Sequence, residues 1–138
     1  MPDSWYLGAM SLAASDPSTR PVPLRGLHIA IADEGRGVPV LAIHGLPGSH
    51  RDYRYVAASL LSQGGVRLIR PDMPGFGDSP VGLLRSVDVP DRAALILDLM
   101  DALELETAVL MGHSMGCAIA CEVAAQRPDR VTALALIA

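Results

Sequence analysis

Residues 108–116, Ala-Val-Leu-Met-Gly-His-Ser-Met-Gly, constrain this chain more than any other stretch. An apolar run stops at Gly112, and an Ala-rich pattern with helical spacing starts at Met115, which leaves Ser114 alone to carry the reversal from strand to helix. A turn that tight forces its central residue into a strained backbone conformation. Strand and helix can then approach only if the positions two residues to either side lack a Cβ. Gly112 and Gly116 stand at those positions, so the segment is read as strand, sharp turn and helix with a serine at the apex.

The same alternation runs through the rest of the chain. Leu27 to Ala32 alternates as an antiparallel or edge strand would, and Asp33 to Gly37 turns it. Val38 to Ile43, Val66 to Arg70, 108–111 and Val131 to Ala138 are apolar without alternation, as suits strands covered on both faces of a parallel sheet. Tyr53 to Gln63 has helical spacing through Tyr55, Val56, Leu60 and Leu61 and stops at Gly64-Gly65. Asp91 to Leu105 reads as a helix led in by Val87-Asp88-Val89 and capped by Asp91, and 115–126 reads as a third. The expectation is an α/β fold: a doubly wound, mostly parallel sheet with flanking helices. Residues 1–20 are read as a poorly ordered arm and 21–138 as the N-terminal part of a single domain, with no repeat or linker.

Composition narrows the functional classes. A net charge of −4 without Lys/Arg clusters offers no electrostatic footprint for phosphates, which argues against nucleic-acid binding. Asp98, Asp101, Glu104 and Glu106 cut the longest apolar stretches well below the roughly 18 residues that span a bilayer, so no membrane partner is expected. The first residues carry Asp3 and no positive region, so no secretory leader is expected either. Cys117 and Cys121 lie four apart on a helix and are read as packing residues, which makes a reducing compartment such as the cytoplasm the default.

A serine at a helix N-terminus is placed where backbone N–H groups and the helix dipole favour the negative charge that develops on an attacked carbonyl. Two upstream segments follow in order, His44-Gly45-Leu46-Pro47-Gly48-Ser49 and Asp72-Met73-Pro74-Gly75-Phe76-Gly77-Asp78-Ser79. With the Gly-x-Ser-x-Gly turn they resemble the α/β-hydrolase superfamily, from about Leu27 to the last residue, and only the N-terminal half of that fold is covered. The resemblance implies that Ser114 is the nucleophile and that the Met115 and Leu46 N–H groups form an oxyanion hole. Gly112, His113, Gly116, His44 and Gly45 would support the elbow and its loop. It further implies that Asp72 to Ser79 supports the pocket floor, with Asp72 and Asp78 as turn residues.

His113 adjoins the serine, but side chains of neighbouring residues in a sharp turn diverge, so it is read as structural; His28 and His50 are read as ordinary surface or core histidines. The resembled order is serine, acid, histidine. All four histidines precede Ser114, and only Glu122 and Asp129 follow it as acids. The acid and base are thus expected to be missing, the chain being either a fragment truncated after the strand that follows the nucleophile helix or an incomplete mechanism. Gly75-x-Gly77 lacks the third glycine of a dinucleotide fingerprint, and no metal-spaced His/Cys cluster appears, so no cofactor and no metal are expected.

Serine at position 114 argues against the carboxylate-nucleophile branches, the epoxide hydrolases and dehalogenases. The expected function is a serine-dependent hydrolase, esterase- or lipase-like, acting on a small-molecule ester or related carbonyl through an acyl-enzyme. The alternative is a non-catalytic relative kept for binding or interaction. The isolated chain is expected to turn over little and, because its last strand is almost wholly apolar, to self-associate.

Overall fold

The computed structural model describes residues 14–81 and 88–138. Residues 1–13 of the expected arm, the leader question and Val87 lie outside the described residues. In chain order the elements are β1 (Arg20–Leu24), β2 (Leu27–Gly35), β3 (Val38–Ile43), α1 (Arg54–Gln63), β4 (Val66–Pro71), α2 (Val89–Ala102), β5 (Ala108–His113), α3 (Met115–Gln126) and β6 (Val131–Ile137). Short 3-10 turns, His50–Tyr53 and Pro128–Arg130, precede α1 and β6.

The six strands form one sheet in the order β1-β2-β4-β3-β5-β6. The β1–β2 and β2–β4 pairs are antiparallel, and β3, β4, β5 and β6 run parallel, so the sheet is mostly parallel as the apolar runs imply. Helices cover both faces. On one, Tyr53 and Ala57 pack on Val40, Ala42 and Leu68. On the other, Ile96 and Leu99 of α2 and Ile119 and Val123 of α3 pack on Ile29, Ile31, Leu41, Ile43, Ile69 and Leu110.

Several boundaries differ from the sequence reading for identifiable reasons. β1 is an additional strand: Pro21 and Pro23 face out while Val22 and Leu24 are buried, and an edge strand is where proline's missing donor does no harm. β2 continues through Asp33 and Glu34, because Arg20 and Arg67 pair with Asp33 and Arg70 pairs with Glu34. The cap of α2 is Asp88, whose side chain accepts the Asp91 N–H at 2.9 Å, so Asp91 lies in the first turn instead. Pro90 is inside the helix start, the one helical place that proline suits.

Helix faces are corrected too. Tyr55 and Val56 of α1 are exposed, and its inward side is Ala57 with Leu60 and Leu61. In α3 the buried face is Gly116, Ile119, Ala120 and Val123, whereas Cys121, expected in a packed interface, is exposed. The stretch 14–20, assigned from sequence to the arm, is fastened to the domain: the Ser15 N–H donates to the Arg54 carbonyl at 2.9 Å, and Thr19 Oγ1 donates to Asp78 at 2.8 Å. Among the described residues, no helix is long and apolar enough to cross a membrane.

Candidate functional site

β5 ends at His113 and α3 begins at Met115, so Ser114 makes the reversal alone, with φ 52° and ψ −117°. Positive φ at a residue with a Cβ costs on the order of 1–3 kcal/mol and persists only where the surroundings hold it. Here they do: the Ser114 N–H donates to the Ile137 carbonyl at 3.0 Å, and the Ser114 carbonyl accepts the Cys117 N–H at 2.9 Å. The glycines behave as the spacing requires. A Cβ on Gly112 would lie 2.4 Å from the Gly116 carbonyl oxygen, and one on Gly116 would lie 2.0 Å from the Ile43 oxygen. Cys117 Sγ, half-buried, lies 3.1 Å from the Gly112 carbonyl and 3.2 Å from that of Ile137.

The loop after β3 is brought against this turn. A Cβ on Gly45 would sit 3.0 Å from Ser114 Cβ and 3.1 Å from the His113 carbonyl oxygen, so glycine lets the loop approach without displacing either. Leu46 follows on the exposed side of that contact, and the Leu46–Pro47 peptide is cis. Ser114, Met115, Gly45 and Leu46, nearly seventy residues apart in sequence, thus share one corner of the sheet at the C-terminal ends of β3 and β5. Met115 is the first residue of α3, so its N–H has no carbonyl of its own helix to bond.

His44 is fully buried, and both of its ring nitrogens are engaged. Its Nε2 accepts the Met73 N–H at 3.0 Å, which makes Nδ1 the protonated nitrogen, and Nδ1 donates to the Gly45 carbonyl at 2.7 Å. The ring stands 5.6 Å from that of Phe76. It therefore braces the loop against the segment after β4, and no lone pair remains for proton abstraction.

That second segment is wound around Asp72, also fully buried. Its carboxylate accepts from the His50 N–H at 2.6 Å, from His50 Nδ1 at 2.8 Å and from the Asp78 N–H at 2.8 Å. Gly77 presses so close that a Cβ would fall 2.2 Å from Asp72 Oδ2. Ser79 Oγ donates to the Asp72 carbonyl at 2.7 Å and accepts the Ala30 N–H at 2.8 Å. The sequence reading of Asp72 as a turn residue captured its local bonds and missed its partnership with His50, which is 22 positions away and carries no local signature.

His50, Asp72 and Asp78 have donor atoms within 4.8 Å of one another, the spacing a cation would need. With Nδ1 and both Asp72 oxygens committed to hydrogen bonds, the trio is a structural node. His28 lies exposed on β2, away from the turn. His113, half-exposed, points toward Gly45, its Nδ1 3.5 Å from where a Cβ of that residue would be. Among the described residues no histidine hydrogen-bonds Ser114.

Sequence reasoning also missed Tyr53. It is buried at the end of the 3-10 turn, and its hydroxyl donates to the Ile43 carbonyl at 2.8 Å. Burial, with smaller contributions from Cys117 and Asp52, pushes its phenol far above the ordinary tyrosine range, so it stays a donor.

The chain is similar to an epoxide hydrolase of Caballeronia sordidicola, 33% identical over 114 residues, which are 82% of this chain and 34% of the relative. It is 38% identical over 124 residues to the 2-hydroxymuconate semialdehyde hydrolase of a Pseudomonas strain, covering 86% of this chain and 42% of that protein. The chain thus spans well under half the length of these relatives. Among solved structures, an epoxide hydrolase from Vigna radiata superposes with a TM-score of 0.80 at 26% identity, over 87% of this chain and 37% of its own. The family model for the alpha/beta hydrolase fold matches residues 38–138, the span that holds the parallel strands, the Asp72 loop and the Ser114 turn. The chain belongs to the α/β-hydrolase family.

Proposed function

We propose that the protein is a serine-dependent hydrolase that attacks an ester or related carbonyl, with Ser114 as nucleophile and an acyl-enzyme as intermediate. The observation that carries this reading is the backbone of Ser114: a φ of 52° on a serine wedged between Gly112 and Gly116, with the Gly45 loop in contact. Strain of this kind accompanies function.

In the proposed reaction the Ser114 hydroxyl adds to the substrate carbonyl, and its proton passes to a base. The charge moving onto the carbonyl oxygen is met by the N–H groups of Met115 and Leu46, donors that are preorganised by α3 and by the His44-braced loop. Collapse of the intermediate expels the alcohol, which takes that proton from the base, and leaves the acyl group on Ser114 for water to remove as the carboxylic acid. The base is no histidine of this chain, since His44 and His50 are committed, His28 is remote and His113 is turned to Gly45. In the resembled order the acid and base follow the nucleophile, in the part of the relatives' length that this chain does not span.

Relatives include proteins named epoxide hydrolase and haloalkane dehalogenase. Those reactions use a carboxylate that attacks carbon without first losing a proton, and a hydroxyl at position 114 cannot do that at neutral pH. This chemical difference favours an ester or a related carbonyl as the substrate. The two unpaired cysteines, Cys117 and Cys121, fit a reducing compartment such as the cytoplasm.

The experiment is turnover of short p-nitrophenyl esters by the whole protein, with Ser114→Ala alongside. The expected result is a burst of p-nitrophenol and a loss of up to about a millionfold in the variant. Equal turnover in both proteins would contradict the reading.

A further inference from the structure

Tyr53 is almost fully buried among Val40, Ala42, Ala57 and Leu68, a setting that a phenylalanine would fill equally well. Its hydroxyl needs a separate explanation. That hydroxyl donates at 2.8 Å to the carbonyl of Ile43, the last residue of β3 and the one from which the His44-Gly45-Leu46 loop departs. The same oxygen is the atom that a Cβ on Gly116 would strike at 2.0 Å, so the first turn of α3 presses on it from another side. One peptide oxygen therefore lies at the meeting of the strand end that leads to Leu46 and the helix start that follows Met115.

The bond also closes a ring. Tyr53 follows Ile43 by ten positions, and the segment between them is fastened internally. The Arg51 N–H donates to Ser49 Oγ at 3.2 Å, and the Ser49 N–H donates to Asp52 at 3.3 Å. A Cβ on Gly48 would lie 2.3 Å from that Asp52 carboxylate, so the loop is seated tightly on the turn that presents Tyr53.

We propose that Tyr53 is a positioning residue for the oxyanion hole, its hydroxyl holding the Ile43 carbonyl so that the Leu46 N–H and the Met115 N–H keep a fixed separation. The proposal rests on the serine-hydrolase reading of the site, and it adds a residue that touches neither substrate nor nucleophile. Oxyanion donors work within a window of about 2.7–3.1 Å from the developing charge. A loop released at its root moves its donor out of that window in the transition state, while ground-state binding of the substrate changes little.

The test is Tyr53→Phe in the whole protein. The expected result is a fall in kcat of roughly tenfold on p-nitrophenyl esters, less than the 10²–10³ seen for outright removal of a donor, with KM within about twofold. Hydrogen–deuterium exchange should quicken in residues 44–48 and stay as in the parent protein in β4 and α2. Turnover at the parent level in Tyr53→Phe, with Ser114→Ala inactive, would overturn the role of Tyr53 and leave the serine reading intact. Turnover that survives in Ser114→Ala would overturn both. Unchanged exchange in 44–48 refutes the clamp whatever the activity does. If the variant does not fold, 3-fluorotyrosine at position 53, a stronger donor, carries the test: slower hydrogen–deuterium exchange in residues 44–48 is expected, and exchange equal to the parent would refute the proposal.

Discussion

Ser114 holds a conformation that its own side chain disfavours, and three glycines on three different segments make that possible. Gly112 and Gly116 admit the helix against the strand, and Gly45 admits the loop against the serine. Gly116→Ala is the sharpest probe, because its new methyl would lie 2.0 Å from a backbone oxygen that cannot swing away. A loss of about 1–3 kcal/mol in denaturant unfolding is expected, with a fall in Ser114 reactivity; an unaffected midpoint would show that the elbow has slack. His113 is adjacent in sequence and divergent in space. His113→Ala in the whole protein should retain measurable ester turnover, and a loss as deep as that of Ser114→Ala in a folded protein would mark His113 as the base.

At the scale of elements, charges stitch the antiparallel part of the sheet. Asp33 of β2 takes both Arg67 of β4, at 2.8 Å, and Arg20 of β1, at 2.8 Å. The Arg67 hydrogen bond, against a smaller opposing effect of burial, holds the Asp33 carboxyl below the usual carboxylate range. A depressed folded-state value stabilises the protein above the unfolded carboxyl's titration near pH 4 and ceases to do so as pH falls through the folded value. Asp33→Asn should therefore cost about 0.5–1 kcal/mol at pH 7, reduced by solvent screening, and the difference from the parent should close in urea titrations as pH falls below the range in which an unfolded carboxyl titrates. A gap that stays constant with pH would assign the effect to packing.

What was legible at this scale follows from local chemistry. The Gly-x-Ser-x-Gly turn, the bounds of α3 and the parallel strands all follow from residues within a few positions of one another. β1 was hidden by its prolines, which read as loop until a neighbouring strand turns them outward. Asp33 and Glu34 read as a turn because their arginine partners lie on other strands, Arg20 on β1 and Arg67 and Arg70 more than thirty positions away on β4. At the site, the serine and its glycines were legible, whereas Tyr53 and the His50–Asp72 pair were not, since each acts through a contact that only the assembled fold creates.

At the scale of the whole molecule, the sheet is covered on both faces at β3 and β4 and is largely exposed at β6. Leu134, Leu136 and Ile137 are 41%, 50% and 40% exposed, on a strand whose outer edge carries no neighbour among the described residues. An apolar edge of this kind templates pairing with another chain. Residues 1–138 alone should scatter light as dimers or larger species at micromolar concentration, and Leu134→Lys with Leu136→Glu should reduce that association; a stable monomer would show the edge to be self-sufficient. The central claim, that the strained serine is the nucleophile, has one direct test: treat the whole protein with a fluorophosphonate and map the adduct by mass spectrometry. One phosphonyl group on Ser114, absent in Ser114→Ala, is predicted. An unlabelled protein, or a label that persists in Ser114→Ala, would contradict it.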